Sequence, residues 1–342
     1  MADVVTFGEA MVRLAPPHFQ RIEQATSLDV QVGGGELNVA VGVARLGLQS
    51  SWVSRLPENS LGRLIQNRVR QAGVDASNIV WSENGRVGVY FVEFGAAPRA
   101  SSVLYDRENT AISAIRPGEV DWKRIFQGAR WFHTSGITPA LSDSAAAVTR
   151  EALEAAKQGG LTTSYDLNYR GKLWSPEKAQ QIQEPLMQWV DVLITTEEDT
   201  SVVFRIRAEG TTDVRGFTEV LSESYKEVAR SLAEKFGFQG VAITLRENPL
   251  VWRNTWTAIA YAEGKFFEDV KYDLEIVDRI GGGDSFSAGF IYGRLAKKSW
   301  EAAVRYGNAF GALKHSMPGD FNWATLQEVE GLLKGASLRV AR

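Results

Sequence analysis

Residues 275–293 read EIVDRIGGGDSFSAGFIYG. Gly281, Gly282 and Gly283 run directly into Asp284, and an apolar, helix-like segment follows. A turn needs one or two such glycines. Successive N–H groups without side chains make an anion-binding nest, and the positive end of the helix dipole falls at the same point. Asp284 stands at or next to the N-cap, close to whatever anion the nest holds. A carboxylate there is unfavourable unless it takes a proton from a substrate. Phosphoryl transfer fits: the nest stabilises charge on the transferred group, and the carboxylate accepts the proton of the acceptor hydroxyl. Read alone, the stretch fits a plain glycine loop with a capping Asp284 equally well.

Working outward, other phosphate loops are disfavoured. No Gly-Lys-Ser/Thr tripeptide occurs, and FGEAMVRLAPP after the first strand lacks the dinucleotide fingerprint. The second glycine-led helix, GGGELNVAVGVARLG (33–47), precedes the second strand and also lacks that spacing. Strands are expected at 3–9, 50–56, 78–83, 129–137, 161–168, 191–199 and 240–248. Helices are expected at 36–47, 59–73, 142–160, 176–190 and 224–237, and two more close the chain. This alternation predicts a mostly parallel sheet with helices on both faces. It breaks at about 86–113, where period-two segments flank a Gly-Ala-Ala-Pro-Arg turn, and at about 10–32, which is extended and irregular. The two excursions predict a small β-sheet outside the main layer, within one domain spanning 1–342. Residues 201–223 carry no readable pattern.

The chain of 342 residues is 44% hydrophobic, ample for a large core. A net charge of -3 gives no basic footprint for nucleic acid. With no cysteine, disulfides and thiolate chemistry are excluded. His18, His133 and His315 lack metal-ligand spacing and are expected to be structural or at the surface. The N-terminus reads as no signal peptide, and no apolar run suits a membrane span, so a soluble, cytoplasmic protein is expected.

VGGGELNVAVGVARLG and DRIGGGDSFSAGF, in that order, resemble the ribokinase-like (PfkB) carbohydrate kinases. Within that family the chain is most similar to 2-keto-3-deoxygluconate kinases, through YFVEFG, VLYDREN, WFHTSGITPALS, DLNYRGKLW and ALKHSMPGDFN. The resemblance covers nearly the whole chain. It implies a doubly wound α/β fold with a β-sheet lid, and ATP-dependent phosphorylation of the terminal hydroxyl of 2-keto-3-deoxygluconate. Asp284 then corresponds to the general base and Gly281–Gly283 to the anion hole. Gly34 and Asn38 match positions that hold sugar hydroxyls. Tyr90, Tyr105, Arg107 and Arg170 match substrate contacts, with Asp320 nearby. Asn168, Thr244, Arg246 and Asn308 fall on the nucleotide side.

The residues also allow plainer roles. Arg107 can pair with Asp106 or Glu108, the tyrosines can pack across strands, and Asn168 and Arg170 can form a turn. An acidic substrate favours the arginines as fixed donors. Two departures from the family pattern stand out. Arg279-Ile280 precede the glycines, and TTEED (195–199) replaces an Asn-x-x-Glu motif that organises Mg²⁺. Glu198 or Asp199 is left for the metal, or the segment is a solvated acidic loop. Alternative functions are a kinase for a neutral sugar or nucleoside, and a non-catalytic sugar-acid sensor. Apolar residues on the lid strands (Val87, Val89, Phe91, Val103) suggest a homo-oligomer joined through the lid.

Overall fold

The computed structural model describes residues 1–207 and 219–335. In the main sheet, β5 (Ile79–Ser82), β4 (Ser50–Pro57), β1 (Val4–Phe7), β8 (Trp131–Ser135), β9 (Thr162–Asp166), β10 (Val192–Thr196) and β11 (Gly240–Leu250) run parallel in that spatial order. The hairpin strands β12 (Arg253–Ala262), β13 (Lys265–Glu268) and β14 (Tyr272–Glu275) extend one edge antiparallel. The chain steps outward from β1 to β4 and β5, then returns to β8 on the other side of β1. Such a reversal opens a crevice beyond the C-terminal strand ends.

Adjacent residues of β1 point to opposite faces, and both faces are covered. Val5 and Phe7 pack in a cluster with Val148 and Leu153 of α5 (Asp143–Gln158) and Leu232 of α8 (Glu219–Phe236). Val4 belongs to another cluster, with Val39 of α1 (Gly35–Arg45), Phe286 and Phe290 of α9 (Gly282–Tyr292) and Phe310 of α10 (Trp300–Lys314). Helix starts are set by side-chain caps worth about 1 kcal/mol each. Asn59 caps α2 (Ser60–Gln71), Ser142 caps α5, and Ser299 caps α10. Helices α9 and α10 meet at backbone distance. A Cβ on Gly289 would lie 2.4 Å from the Tyr306 carbonyl oxygen, and one on Gly307 2.9 Å from that of Phe286. This contact fixes where the N-terminus of α9, with Asp284, stands.

The two excursions build a separate sheet in the order β3 (Asp29–Gly33), β2 (Met11–Ala15), β6 (Gly88–Glu93), β7 (Ser102–Asp106). The α/β fold with a β-sheet lid implied by the resemblance is the one observed. Register sets two rows across the lid. Gln31, Arg13, Tyr90 and Tyr105 are in register on the inner face, and Val30, Leu14, Phe91 and Leu104 on the outer. Val30 and Leu104 are exposed. The outer apolar row therefore differs from the expected set. Val87 is buried in the core beneath the lid, and Val103 lines the cleft because alternation sends Leu104 outward instead.

Three local readings change. The strand at 191–199 stops at Thr196, whose hydroxyl accepts the Asp199 N–H at 3.2 Å and starts α7 (Glu197–Val203). The acidic segment is thus a helix start. The helix at 176–190 is split into α6 (Pro176–Gln183) and a 3₁₀ turn (Glu184–Trp189) containing Pro185, which has no N–H to continue the ladder. A last helix, α11 (Leu326–Leu333), begins with a Thr325–Glu328 capping box that the sequence reading missed. Of the unreadable 201–223 stretch, Ser201–Val203 end α7 and Glu219 onward begins α8, while 208–218 lie outside the described residues.

Candidate active site

Between the lid and the C-terminal strand ends lies a cleft of about 310 Å³. The glycine run forms part of its wall. Gly281 is left-handed, with φ 85°, and a Cβ there would lie 2.2 Å from the Asp320 carbonyl oxygen. A Cβ on Gly282 would strike the His315 ring at 2.6 Å. Packing thus demands these two glycines. At Gly283 a Cβ would meet no protein atom within 4 Å, and the residue is exposed to the cleft. The N–H groups of Gly283 and Asp284 belong to the first turn of α9 and have no helical acceptor. They are available to a ligand, and a side chain on Gly283 would stand in the ligand's space.

Asp284 accepts a hydrogen bond from Asn38 Nδ2 at 2.6 Å. Burial pushes its carboxyl from the ordinary 3.8 up to about 7. The Asn38 bond and the charge of Arg170 oppose the rise, while Asp320 and Glu36 add to it. A carboxyl poised there exchanges protons near neutral pH. Gly34 precedes α1, and a Cβ on it would lie 2.0 Å from the Glu9 carbonyl, so its bareness brings α1 close to β1.

Tyr90 donates to Asp320 Oδ2 at 2.6 Å and stacks on Tyr105 with ring centroids 5.7 Å apart. Arg107 is paired with Glu9, which also accepts from Thr110 Oγ1 at 3.1 Å. Of its expected partners, Asp106 is instead bound by Arg86. Asn168 and Arg170 follow β9 and line the cleft with Thr244, Arg246 and Asp199. The Asn168 N–H donates to Asp166 Oδ1 at 3.0 Å. Asp166 is held well above the usual carboxylate range by burial and by the charges of Asp199 and Asp284. Burial also raises Asp199, against the pull of Arg170.

Two expected residues stand apart. Glu198 is exposed and does not line the cleft. Asn308 is fully buried on α10, its Nδ2 donating to Asp269 Oδ2 at 2.9 Å and to the Val270 carbonyl at 2.8 Å, and it is also absent from the cleft wall. Several site residues went unread. Glu9, Asp166 and Arg279 line the cleft. Glu36 is fully buried, and its Oε1 accepts from the Ser135 N–H at 3.1 Å, the Ser135 hydroxyl at 2.7 Å and the Thr138 hydroxyl at 2.8 Å. Asp166 sits inside DLNYR, and a strand-end acid was the available signal.

A model of the pfkB family carbohydrate kinases matches residues 1–323. The chain belongs to the PfkB family of carbohydrate kinases. Its structure is similar to the crystal structure of 2-dehydro-3-deoxygluconokinase from Thermotoga maritima, with a TM-score of 0.92 and 41% identity over 98% of this chain and 100% of that one. The sequence is 38% identical to 2-dehydro-3-deoxygalactonokinase from Haloferax volcanii, covering 100% of this chain and 99% of that protein. It is 30% identical to 2-dehydro-3-deoxygluconokinase from Bacillus subtilis, covering 95% and 93% respectively.

In this kinase Gly283→Ala adds helix propensity of about 1 kcal/mol and meets no protein atom. Its urea midpoint is expected to stay level or rise while turnover falls about tenfold or more. Full turnover would show that the third glycine does not face the reacting groups. Asp284→Asn is expected to stabilise the fold. The folded carboxyl keeps its proton up to about 7 while the unfolded one releases it near 3.8, so wild-type stability falls with rising pH across that window. The melting-temperature gap in favour of Asn should open from about pH 4 and level off above the folded value, as scanning calorimetry at stepped pH would record. A pH-independent gap would refute the raised carboxyl.

Proposed function

We propose that this kinase transfers the γ-phosphoryl group of ATP to the terminal hydroxyl of 2-keto-3-deoxygluconate, giving the 6-phosphate. One observation carries the reading: the Asp284 carboxyl, hydrogen-bonded by Asn38 and raised by burial, stands beside the bare N–H groups at the start of α9 in the cleft. Asp284 takes the hydroxyl proton, and the nest spanning Gly281, Gly282 and Gly283 receives charge on the transferred group. Gly34, Asn38, Tyr90, Tyr105, Arg170 and Asp320 surround the sugar side. Asn168, Thr244, Arg246 and Arg279 surround the nucleotide side. The names of the T. maritima, H. volcanii and B. subtilis proteins support a 2-keto-3-deoxy sugar acid as substrate.

Mg²⁺ suits the donor set formed by Asp166 and Asp199, two carboxylates that line the same cleft, the charge of Asp199 raising the proton affinity of Asp166. Mg²⁺ keeps several waters and needs few carboxylates. When bound it would neutralise phosphate charge. Glu198 and Asn308 have no part in this arrangement.

A neutral sugar is the second reading, favoured by the Arg107–Glu9 pair, which leaves less free positive charge for a substrate carboxylate. ADP release measured with 2-keto-3-deoxygluconate, its galacto epimer, fructose and a nucleoside decides between them. The sugar acids are expected to exceed the neutral compounds by about 100-fold in kcat/KM. Preference for fructose would overturn the substrate, and no ADP release with any compound would point to a sensor. Asp284→Asn should lower turnover by about 10²–10⁴-fold while retaining calorimetric sugar binding.

The same proposal includes work in the cytoplasm and pairing with a second copy through the outer lid row. Among the described residues no helix is long and apolar enough to cross a membrane. Val30, Leu14, Phe91 and Leu104 form an apolar stripe across all four lid strands, with Leu104 59% exposed. Leu104→Glu is expected to reduce the mass seen by light scattering to that of the monomer. An unchanged oligomer, or a monomeric wild type, would exclude the stripe.

A further inference from the structure

We propose that Arg13 is a positioning residue for phosphoryl transfer: from the lid it fixes the loop that carries the glycine nest. This rests on the reading of that run as the transfer site. Arg13 lies in the middle of the lid's inner row, on β2, and is 1% exposed. It does not line the cleft, so it acts through other groups. Its Nη2 donates to Asp278 Oδ2 at 2.6 Å and its Nη1 to Asp320 Oδ1 at 2.8 Å.

Each carboxylate shapes one side of the nest. Asp278 Oδ1 accepts the Ile280 N–H at 3.0 Å, and its Oδ2 also accepts the Gly319 N–H at 2.9 Å. It therefore sets both the approach to Gly281 and the loop that ends at Asp320. Asp320 turns its other oxygen to Tyr90, while its carbonyl is the atom a Cβ on Gly281 would strike at 2.2 Å. The guanidinium thus bridges two carboxylates, and those two hold the left-handed turn from which α9 starts. Lys314 Nζ supports the same loop from below through the carbonyls of Asp278 at 3.3 Å and Met317 at 3.0 Å.

Removing the guanidinium leaves two buried carboxylates facing one another without their bridging cation, and they must separate or take up protons. The loop then shifts, and a displacement of about 1 Å at a reacting group costs about 100-fold in rate. Lysine keeps the charge but not the planar fork that reaches both acids. A purely structural Arg13 would weaken the fold and leave chemistry intact. A positioning Arg13 lowers kcat and leaves sugar KM nearly unchanged, because the nest acts in the transition state.

The experiment measures kcat and sugar KM of full-length Arg13→Met and Arg13→Lys, with melting temperatures to confirm folding. Expected are losses in kcat of about 100-fold and about tenfold, with KM within about threefold. Tyr90→Phe combined with Arg13→Lys should lose less than the product of the single losses, since both act through Asp320. Retention of kcat within about threefold, a loss confined to KM, or multiplicative losses would each overturn the proposal. If Arg13→Met does not fold, the Arg13→Lys and Tyr90→Phe cycle decides alone. Gly283→Ala run in parallel separates the two readings. Full turnover there defeats the nest itself, whereas its loss beside active Arg13 variants defeats only the role of Arg13.

Discussion

Carboxylates crowded in and around the cleft must each be neutralised, and the site is arranged around how this is done. An isolated buried carboxylate is too costly to keep; it finds a cation, a proton or a ligand. Three different answers are used in and around one cleft. Glu9 is matched by Arg107, and Asp278 and Asp320 share Arg13. Glu36 is buried, and its Oε2 has no partner, so burial favours its protonated form. Asp166, Asp199 and Asp284 are each raised by burial and eased in part by Arg170, and Asp166 is raised further by the charges of Asp199 and Asp284. All three of these last acids line the cleft.

The scaffold brings these groups together by close backbone approach. Gly34 lets α1 approach the end of β1, and the glycine contacts between α9 and α10 hold Asp284 from behind. Asn38 on α1 and Asp284 on α9, 246 residues apart in sequence, meet at 2.6 Å because both helices cover the same face of the sheet. The lid closes the other side. Its inner row carries the polar side chains and its outer row the apolar ones, a consequence of period-two alternation applied to a sheet with two different neighbours.

Much of this was legible because it is periodic or local. The alternating strands and helices, the two lid excursions and the glycine run leave marks within a few residues of themselves. Tyr90, Tyr105, Asn38, Arg170 and Asp320 were pointed to by the family resemblance alone, and all five line the cleft. What stayed hidden depends on pairing between distant single charges. Arg13 meets Asp278 across 265 residues, and nothing in MVRLA names its partner. Its one sign is a charged residue on the face shared by Met11 and Ala15. Arg107 was read against its chain neighbours because helix and strand reasoning reaches only that far, yet Glu9 holds it. The start of α7 was missed for a different reason: Thr195 and Thr196 favour strands by their branching, while Thr196 is also a good N-cap. Tertiary context chose the cap.

The Arg279-Ile280 lead-in, the residues that depart from the family pattern, is explained by what each side chain touches. Ile280 packs against the cluster of Met11, Ala15, Tyr90 and Val92 on the inner lid face. Arg279 donates to the Val251 carbonyl at 2.9 Å, at the turn joining β11 to β12. One side chain therefore anchors the nest to the lid and the other anchors it to the hairpin edge of the main sheet. The N–H groups at the start of α9 belong to the backbone and are the same whichever side chains Arg279 and Ile280 carry. Those side chains are free to serve as tethers, and tethering on both sides is what a loop with three glycines requires, since glycine loses the most conformational freedom when held in one shape.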